Sequence, residues 1–131
     1  MKKIGVINQP ISALIAGLGH LDQVVICDAG LPIPSSVMRI DLALVEGIPT
    51  FSQTVEAVQR EMQVERLIIA EEMLSRSPQV YEFLEKSFPG LPIEKVTHNL
   101  FKDLTHHAVA IIRTGEVTPY ANVILIAGVT F

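Results

Sequence analysis

The sequence predicts an α/β fold, a three-layer α/β/α arrangement with a mainly parallel sheet of about six strands. Short apolar runs rich in β-branched residues recur along the chain and are typical of strands buried on both faces. Segments with apolar residues at helical spacing lie between most of these runs, which favours crossover connections. Neither a repeat nor a low-complexity linker interrupts the pattern, so we expect residues 1–131 to form one domain.

The first helix and the first strand are predicted from clear local signals. Asn8 is a good N-cap, and Pro10 suits the first turn of a helix. Residues 11–18 place apolar side chains on one helical face, and Gly17 and Gly19 end the pattern, with Gly19 a natural C′ residue. Val24–Cys27 is a continuous apolar run, which predicts a strand buried on both faces.

The middle of the chain predicts a half-buried strand, a helix and a second buried strand. Residues 38–44 alternate between apolar and polar side chains, as a strand with one solvated face does. Thr50 and Gln53 have the spacing of a capping box. The apolar stripe of the helix that follows consists of Phe51, Val55, Val58 and Met62. Residues 67–70 form the next short apolar run.

The C-terminal half repeats the alternation. Ser77-Pro78 is typical of a helix start, and the apolar face that follows stops at Pro89-Gly90. A short helix is expected around residues 100–104. The remaining predicted strands are Ile93–Thr97, Val109–Ile112 and Val123–Ala127. Because the link into the last strand is short, one antiparallel pairing is compatible with the pattern.

Composition limits the classes of function. The formal charge is −4 and no basic block is present, which argues against a nucleic-acid partner. Hydrophobic residues make up 49% of the chain, yet no apolar run approaches the ~20 residues of a membrane span. We therefore expect no membrane insertion, and we expect a homo-oligomer that covers part of this apolar surface. The single cysteine, Cys27, and the lack of a secretory signal favour a cytoplasmic protein.

Ionisable and polar side chains follow several of the predicted strands. In open α/β sheets, ligands bind beyond the carboxyl ends of the strands. His20 enters this region from a helix terminus, and Tyr120 and Asn122 enter from the last loop. The strand-end residues are Asp28, Glu71, Glu72, His98, Arg113 and Thr114. This mixture suits a small polyhydroxylated ligand better than a nucleotide, and the chain has no glycine-rich nucleotide motif.

Each candidate also has a structural interpretation. His20 is either a proton-transfer group or a helix-terminal histidine bonded to a carbonyl. Asp28, at the end of a buried strand, must be paired or hydrogen-bonded, and it either binds ligand or caps the turn at residues 30–32. His98 either binds ligand or begins the helix that follows it. The remaining strand-end groups either touch ligand or hold the loops: Glu71, Glu72, Arg113 and Glu116.

Two further features are interpreted as structural. His106 and His107 are adjacent, so on a helix they point about 100° apart and do not share one metal ion. Cys27 lies inside an apolar run and is interpreted as a buried small hydrophobe. No group of residues has the spacing of a metal site, and we predict no metal.

Several stretches of the chain resemble the D-ribose pyranase (ribose mutarotase) family. The resemblance extends from Lys2 to Phe131. Its most specific part is a motif of ten positions, Arg113-Thr114-Gly115-Glu116-x-Thr118-Pro119-Tyr120-Ala121-Asn122. The other matching segments are Gly5-x-x-Asn8, Gly19-His20-x-Asp22, Asp28-Ala29-Gly30-Leu31-Pro32 and His98-x-x-Phe101-Lys102.

The resemblance implies an enzyme that interconverts the β-pyranose and β-furanose forms of D-ribose. It also implies a homo-oligomer, a decamer of two pentameric rings, with sites at subunit boundaries. His20 inherits the role of general acid/base. The residues that inherit sugar binding are Asp28, His98, Tyr120, Ala121, Asn122 and Lys102.

The implied chemistry fits these residue types. Ring opening removes the proton of the anomeric hydroxyl and protonates the ring oxygen, so one group that donates and accepts near neutral pH suffices. Histidine suits this role best, and no cofactor is needed. Three alternatives are a mutarotase for L-fucose or another sugar, a non-catalytic ribose-binding transport-accessory protein, and a ring-forming protein without a ligand.

Overall fold

The computed structural model describes all 131 residues and contains one six-stranded sheet, in the order β2-β5-β1-β6-β3-β4. The strands are β1 (Gln23–Cys27), β2 (Met38–Asp41), β3 (Val64–Ala70), β4 (Ile93–Val96), β5 (Ala110–Arg113) and β6 (Val123–Ala127). All six predicted strands are present. The second is shorter than residues 38–44, because β2 is an edge strand that pairs only with β5 and ends where Asp41 meets Arg113.

Five strands run parallel, and β6 lies antiparallel between β1 and β3. The sequence is compatible with one antiparallel pairing, whereas β6 makes two. The connection from β5 to β6, residues 114–122, is shorter than a parallel crossover needs, which explains the direction of the last strand.

The helices are α1 (Gln9–Ala16), α2 (Phe51–Gln59), α3 (Met73–Arg76), α4 (Pro78–Ser87) and α5 (His98–Leu104), followed by a 3₁₀ turn (Thr105–His107). The capping box at Thr50 and Gln53 is confirmed. The first helix ends before Gly17 rather than at Gly19. Ser77 precedes α4 as predicted, but its hydroxyl makes no capping bond. The one-turn helix α3 is not predicted, because four residues are too few for a periodic pattern.

Helices cover both faces of the sheet, which confirms the predicted α/β class. Residues from α1, α2 and α4 pack on one face around Val24, Ile26 and Leu125. On the other face Phe101 of α5 packs with Val25 and Ile124. Cys27 is fully buried on this second face, and burial raises the pKa of its thiol to about 12, as expected for a structural cysteine.

Because five strands point the same way, the sheet has one side where their carboxyl ends lie and an opposite side where their amino ends lie. The carboxyl ends of β1 to β5 and the start of β6 meet at one edge, which we call the carboxyl edge. The opposite, amino edge contains the turn before β1 and the end of β6, where the N–H of Leu21 donates to the carbonyl of Ala127 (2.9 Å). No helix of the protein has the length and apolar character needed to cross a membrane.

Candidate active site

A cavity of about 310 Å³ lies at the carboxyl edge. It contains acidic, basic, amide and aromatic side chains, a combination suited to a ligand with several hydroxyl groups. The lining residues are Asp28, Gly30, Leu31, Pro32, Arg76, His98, Pro119, Tyr120 and Asn122. The chain therefore brings together four of the predicted site residues, and no neighbouring subunit is needed for that.

Asp28 lines this cavity and accepts hydrogen bonds at both of its carboxylate oxygens. Oδ1 accepts the backbone N–H groups of Gly30 (3.0 Å) and Leu31 (2.9 Å). Oδ2 accepts from Nδ2 of Asn122 (3.1 Å), and Oδ1 of Asn122 accepts the N–H of Asp28 (2.9 Å). Asp28 thus caps its turn, as its structural interpretation predicts, and also lines the cavity.

The environment of Asp28 changes its acidity. Desolvation by burial raises the pKa of the carboxyl above its ordinary value, although the hydrogen bonds from Gly30, Asn122 and Leu31 oppose the shift. His98 opposes it as well, through its charge. A carboxyl with a raised pKa that is already hydrogen-bonded in a cavity is typical of a functional position.

His98 begins α5, as its structural interpretation predicts, and it also lines the cavity. Its backbone N–H donates to the carboxylate of Glu72 (2.9 Å to Oε2), which assigns Glu72 to the support of this helix start. The imidazole packs edge-on against Tyr120, with ring centroids 5.0 Å apart, and stacks on Phe101 at 6.5 Å. Nδ1 is buried without a partner, so the ring is positioned by packing.

Tyr120, Ala121 and Asn122 approach the cavity on a strained turn. Tyr120 has φ +62°, a conformation that costs a non-glycine residue free energy and is characteristic of functional sites. Ala121 and Asn122 are buried, and the N–H of Asn122 donates to the carbonyl of Tyr120 (2.8 Å). The amide of Asn122 is directed at Asp28 by this turn.

The loop before this turn is fixed to β1 and to α2. Thr114 donates its hydroxyl to the carbonyl of Cys27 (2.7 Å). The Glu116 carboxylate accepts from the N–H of Phe51 at the start of α2 (3.0 Å) and from the hydroxyl of Thr118 (2.9 Å). Desolvation by burial raises the pKa of the Glu116 carboxyl, but these hydrogen bonds lower it by more, so the pKa lies below its ordinary value. Glu116 therefore supports the loop.

Replacing Glu116 by glutamine is expected to lower the free energy of unfolding by about 1–2 kcal/mol at pH 7, because the N-terminus of α2 loses a charged acceptor. The folded pKa lies below the unfolded one, so the contribution is complete above about pH 4.5 and is lost as pH falls through the folded value. Urea unfolding of wild type and variant at pH 7, and again at a pH below the folded pKa of Glu116, measures the difference. Glu56→Gln, exposed on the same helix, is the matched control. An equal deficit for the two variants would contradict this role.

His20 lies at the amino edge, at the opposite end of β1 from Asp28. The five residues of β1 extend roughly 17 Å, so one small sugar does not contact both residues of one chain. His20 is exposed and its Nε2 lies 2.9 Å from Oε2 of Glu65. It lines a separate cavity of about 440 Å³ that also includes Phe131.

Other candidates lie outside the carboxyl-edge cavity. Lys102 follows His98 by one turn of α5 but does not line the cavity. Arg113 donates from Nε to the carbonyl of Ala29 (3.1 Å) and from Nη1 to Asp41 (3.1 Å), so it supports loops. His106 and His107 are exposed on the 3₁₀ turn. No group of three or more potential ligands lies close enough to hold a metal ion.

One cavity residue with a charged side chain is missing from the sequence prediction. Arg76 ends α3, and its guanidinium carbon lies 5.9 Å from the centroid of the Tyr120 ring. The signal that identifies it is position alone: it follows the carboxyl end of β3 by one short helix.

Comparison with known proteins connects this arrangement to one family. The model of the RbsD / FucU transport protein family matches residues 1–130. The D-ribose pyranase of Geobacillus thermodenitrificans is 50% identical over 131 residues, covering 100% of this chain and 99% of that protein. The D-ribose pyranase of Chloroflexus aggregans is 53% identical and both chains are covered completely (100%).

Solved structures agree with the sequence relatives. Bacillus subtilis RbsD complexed with D-ribose is 48% identical and has a TM-score of 0.97 over 100% of both chains. A fucose mutarotase from Streptococcus pneumoniae, in complex with L-fucose, is 22% identical with a TM-score of 0.84 over 100% of both chains, which shows a common fold. The match over residues 1–130 and the full-length relatives place this chain in the RbsD / FucU transport protein family.

Proposed function

We propose that this protein is a D-ribose pyranase, an enzyme that interconverts the β-pyranose and β-furanose forms of D-ribose. The observation that carries the proposal is the carboxyl-edge cavity, where Asp28, His98 and Asn122 present acceptors and donors for sugar hydroxyls. The D-ribose pyranases that match the full chain and the D-ribose complex of the structure 48% identical to it support ribose as the substrate.

In the proposed site, His20 is the general acid/base. Its imidazole takes the proton of the anomeric hydroxyl, the bond between C1 and the ring oxygen breaks as the C1 carbonyl forms, and the same proton passes to the ring oxygen. Both oxygens are bonded to C1, so one nitrogen reaches both. Closure through a different hydroxyl reverses these steps, and no cofactor is required. The proposed sugar-binding residues are Asp28, His98, Tyr120 and Asn122, which line the cavity, together with Ala121 and Lys102, which do not line it.

The separation of His20 from Asp28 favours a site made by two subunits. If the amino edge of one subunit docks on the carboxyl edge of the next, His20 reaches the neighbour's sugar. Such a contact joins two different surfaces and closes into a ring. We propose a cytoplasmic decamer of two pentameric rings, with residues 1–131 as one domain in each subunit.

Exposed apolar side chains at both edges support this assembly. At the amino edge, Leu21 is 53% exposed and Phe131 is fully exposed at 102%. Near the carboxyl edge, Leu44 and Val117 are 77% and 55% exposed and line one shallow cavity with Ala29. Exposed apolar residues that are grouped together, as Leu44 and Val117 are here, mark surfaces that bind another protein.

The test is NMR exchange spectroscopy on D-ribose with catalytic amounts of the protein. Faster pyranose–furanose exchange is expected, and exchange on L-fucose should increase less. An unchanged ribose exchange rate would reject the proposed activity.

The description of the family as transport proteins favours a second candidate, a non-catalytic ribose-binding protein that assists uptake. This candidate predicts saturable ribose binding in calorimetry together with an unchanged exchange rate. The two measurements on one preparation therefore separate the enzyme from the binding protein.

A further inference from the structure

We propose that Glu65 is a positioning residue, which holds the imidazole of His20 so that Nδ1 is the atom that transfers the proton. The proposal rests on the role of His20 in the proposed function. Its starting observation is the contact between His20 Nε2 and Glu65 Oε2, at 2.9 Å. The two side chains come from different elements, the turn before β1 and the start of β3.

The backbone of β3 departs from regular strand pairing at Glu65. The pairing between β3 and β6 shifts register between Val64 and Arg66, so Glu65 lies at a β-bulge. Bulges redirect a side chain from the regular alternation of a strand. Gly128 faces the bulge, since a Cβ at this glycine would lie 3.1 Å from Cβ of Glu65. The glycine allows β6 to approach the redirected residue closely.

The backbone around His20 is fixed independently of Glu65. The N–H of Gly19 donates to Oδ2 of Asp22 (2.8 Å). The N–H of Leu21, which has φ +72°, donates to the carbonyl of Ala127 (2.9 Å). Because these bonds fix the Cα of His20, the direction of the imidazole is determined mainly by its contact with Glu65.

Glu61 lines the cavity next to His20, which Glu65 does not, but the Glu61 carboxylate is engaged elsewhere. It accepts the backbone N–H of Val6 and lies 3.6 Å from Nζ of Lys2. Glu65 is therefore the carboxylate that is bonded to His20.

The pairing determines which imidazole nitrogen acts on the substrate. An ionised carboxylate only accepts hydrogen bonds, so a neutral His20 must donate from Nε2. Nδ1 then holds the free lone pair, which takes the proton of the anomeric hydroxyl and returns it to the ring oxygen. The carboxylate also stabilises the imidazolium formed between these two steps, as in other paired acid–base histidines.

If the His20–Glu65 pair were purely structural, its removal would have only a small effect on stability. Both side chains are partly exposed, at 50% for His20 and 37% for Glu65, and an exposed ion pair contributes at most about 1 kcal/mol to stability. The pair between Arg66 and Glu94 (3.1 Å) is similarly exposed. Glu94→Ala is therefore a matched control for the loss of a surface carboxylate.

The kinetic test is a double-mutant cycle on the assembled protein. Glu65→Ala is expected to lower the catalysed ribose exchange rate about tenfold to a hundredfold, with ribose affinity in calorimetry unchanged. Glu65→Gln, which keeps an acceptor, should lose less, and Glu94→Ala should lose nothing. In the His20→Ala background, Glu65→Ala should cause no further loss. A wild-type rate in Glu65→Ala, or an equal loss in both backgrounds, would overturn the proposal.

A second test measures the protonation of His20 by spectroscopy and does not depend on enzyme activity. Solid-state ¹⁵N spectra of histidine-labelled protein, assigned with His20→Ala, should show neutral His20 protonated at Nε2. A proton on Nδ1 would overturn the proposed orientation. If the wild-type protein does not accelerate ribose exchange, the proposed function fails, while this spectrum still tests whether Glu65 sets the tautomer.

Discussion

Assemblies that mix His20→Ala and Asp28→Asn subunits are expected to exchange ribose faster than assemblies of either variant alone, at ribose concentrations well below the dissociation constant. Removal of a general acid/base lowers a rate by about a hundredfold to ten-thousandfold. His20 and Asp28 lie at opposite ends of β1, whose five residues span roughly 17 Å. If one site takes His20 from one subunit and Asp28 from the next, both residues are intact where the amino edge of an Asp28→Asn subunit meets the carboxyl edge of a His20→Ala subunit.

The size of the recovery follows from the geometry of a head-to-tail contact. In a random equal mixture, roughly one contact in four joins an intact amino edge to an intact carboxyl edge. About a quarter of the wild-type exchange rate is therefore expected after co-expression, with subunit mixing measured by native mass spectrometry. Separately assembled variants, combined without subunit exchange, are the control. Confirmed mixing without recovered exchange would reject a site shared in this way.

The architecture was accessible from the sequence because its strands carry strong local signals. Buried parallel strands such as Val24–Cys27 need apolar residues on both faces, and this requirement appears directly as a continuous run. The capping box at Thr50 is equally local. The two antiparallel pairings of β6 are not local, since they depend on which neighbours lie beside it in the folded sheet.

The same distinction applies to the site. Asp28, His98 and Asn122 were predictable as neighbours because the carboxyl ends of parallel strands converge at one edge. His20 was expected in the same region, entering it from a helix terminus, but it lies at the amino edge, eight positions before Asp28. An extended strand converts that short separation in sequence into a long one in space.

Residues that act through tertiary contacts were the least predictable. Glu65 faces His20 because the pairing of β3 with β6 shifts at a bulge, and no sequence pattern marks that shift. Glu72 and Glu116 accept backbone N–H groups at the starts of α5 and α2, respectively. Their partners are distant in sequence, so only the folded chain shows that they support loops.

Asp28→Asn is expected to weaken ribose binding by about tenfold or more, which corresponds to 1.4 kcal/mol or more. In the wild type, Oδ1 of Asp28 accepts from Gly30 and Leu31, and Oδ2 accepts from Asn122. An asparagine has only one acceptor oxygen. If that oxygen faces the turn, two amide donors oppose each other, and the buried amide of Asn122 loses its partner at a cost of about 1–3 kcal/mol.

The pH dependence of binding gives this prediction a second measurement. Burial raises the pKa of the Asp28 carboxyl, so as pH falls this group takes up a proton before an ordinary aspartate does. Protonation removes acceptor capacity, and ribose affinity of the wild type should decline over that range. Asp28→Asn does not titrate, so calorimetry should show the decline removed, whereas Asp103→Asn, exposed on α5, should keep it. An identical decline in all three proteins would assign the pH dependence to a group other than Asp28.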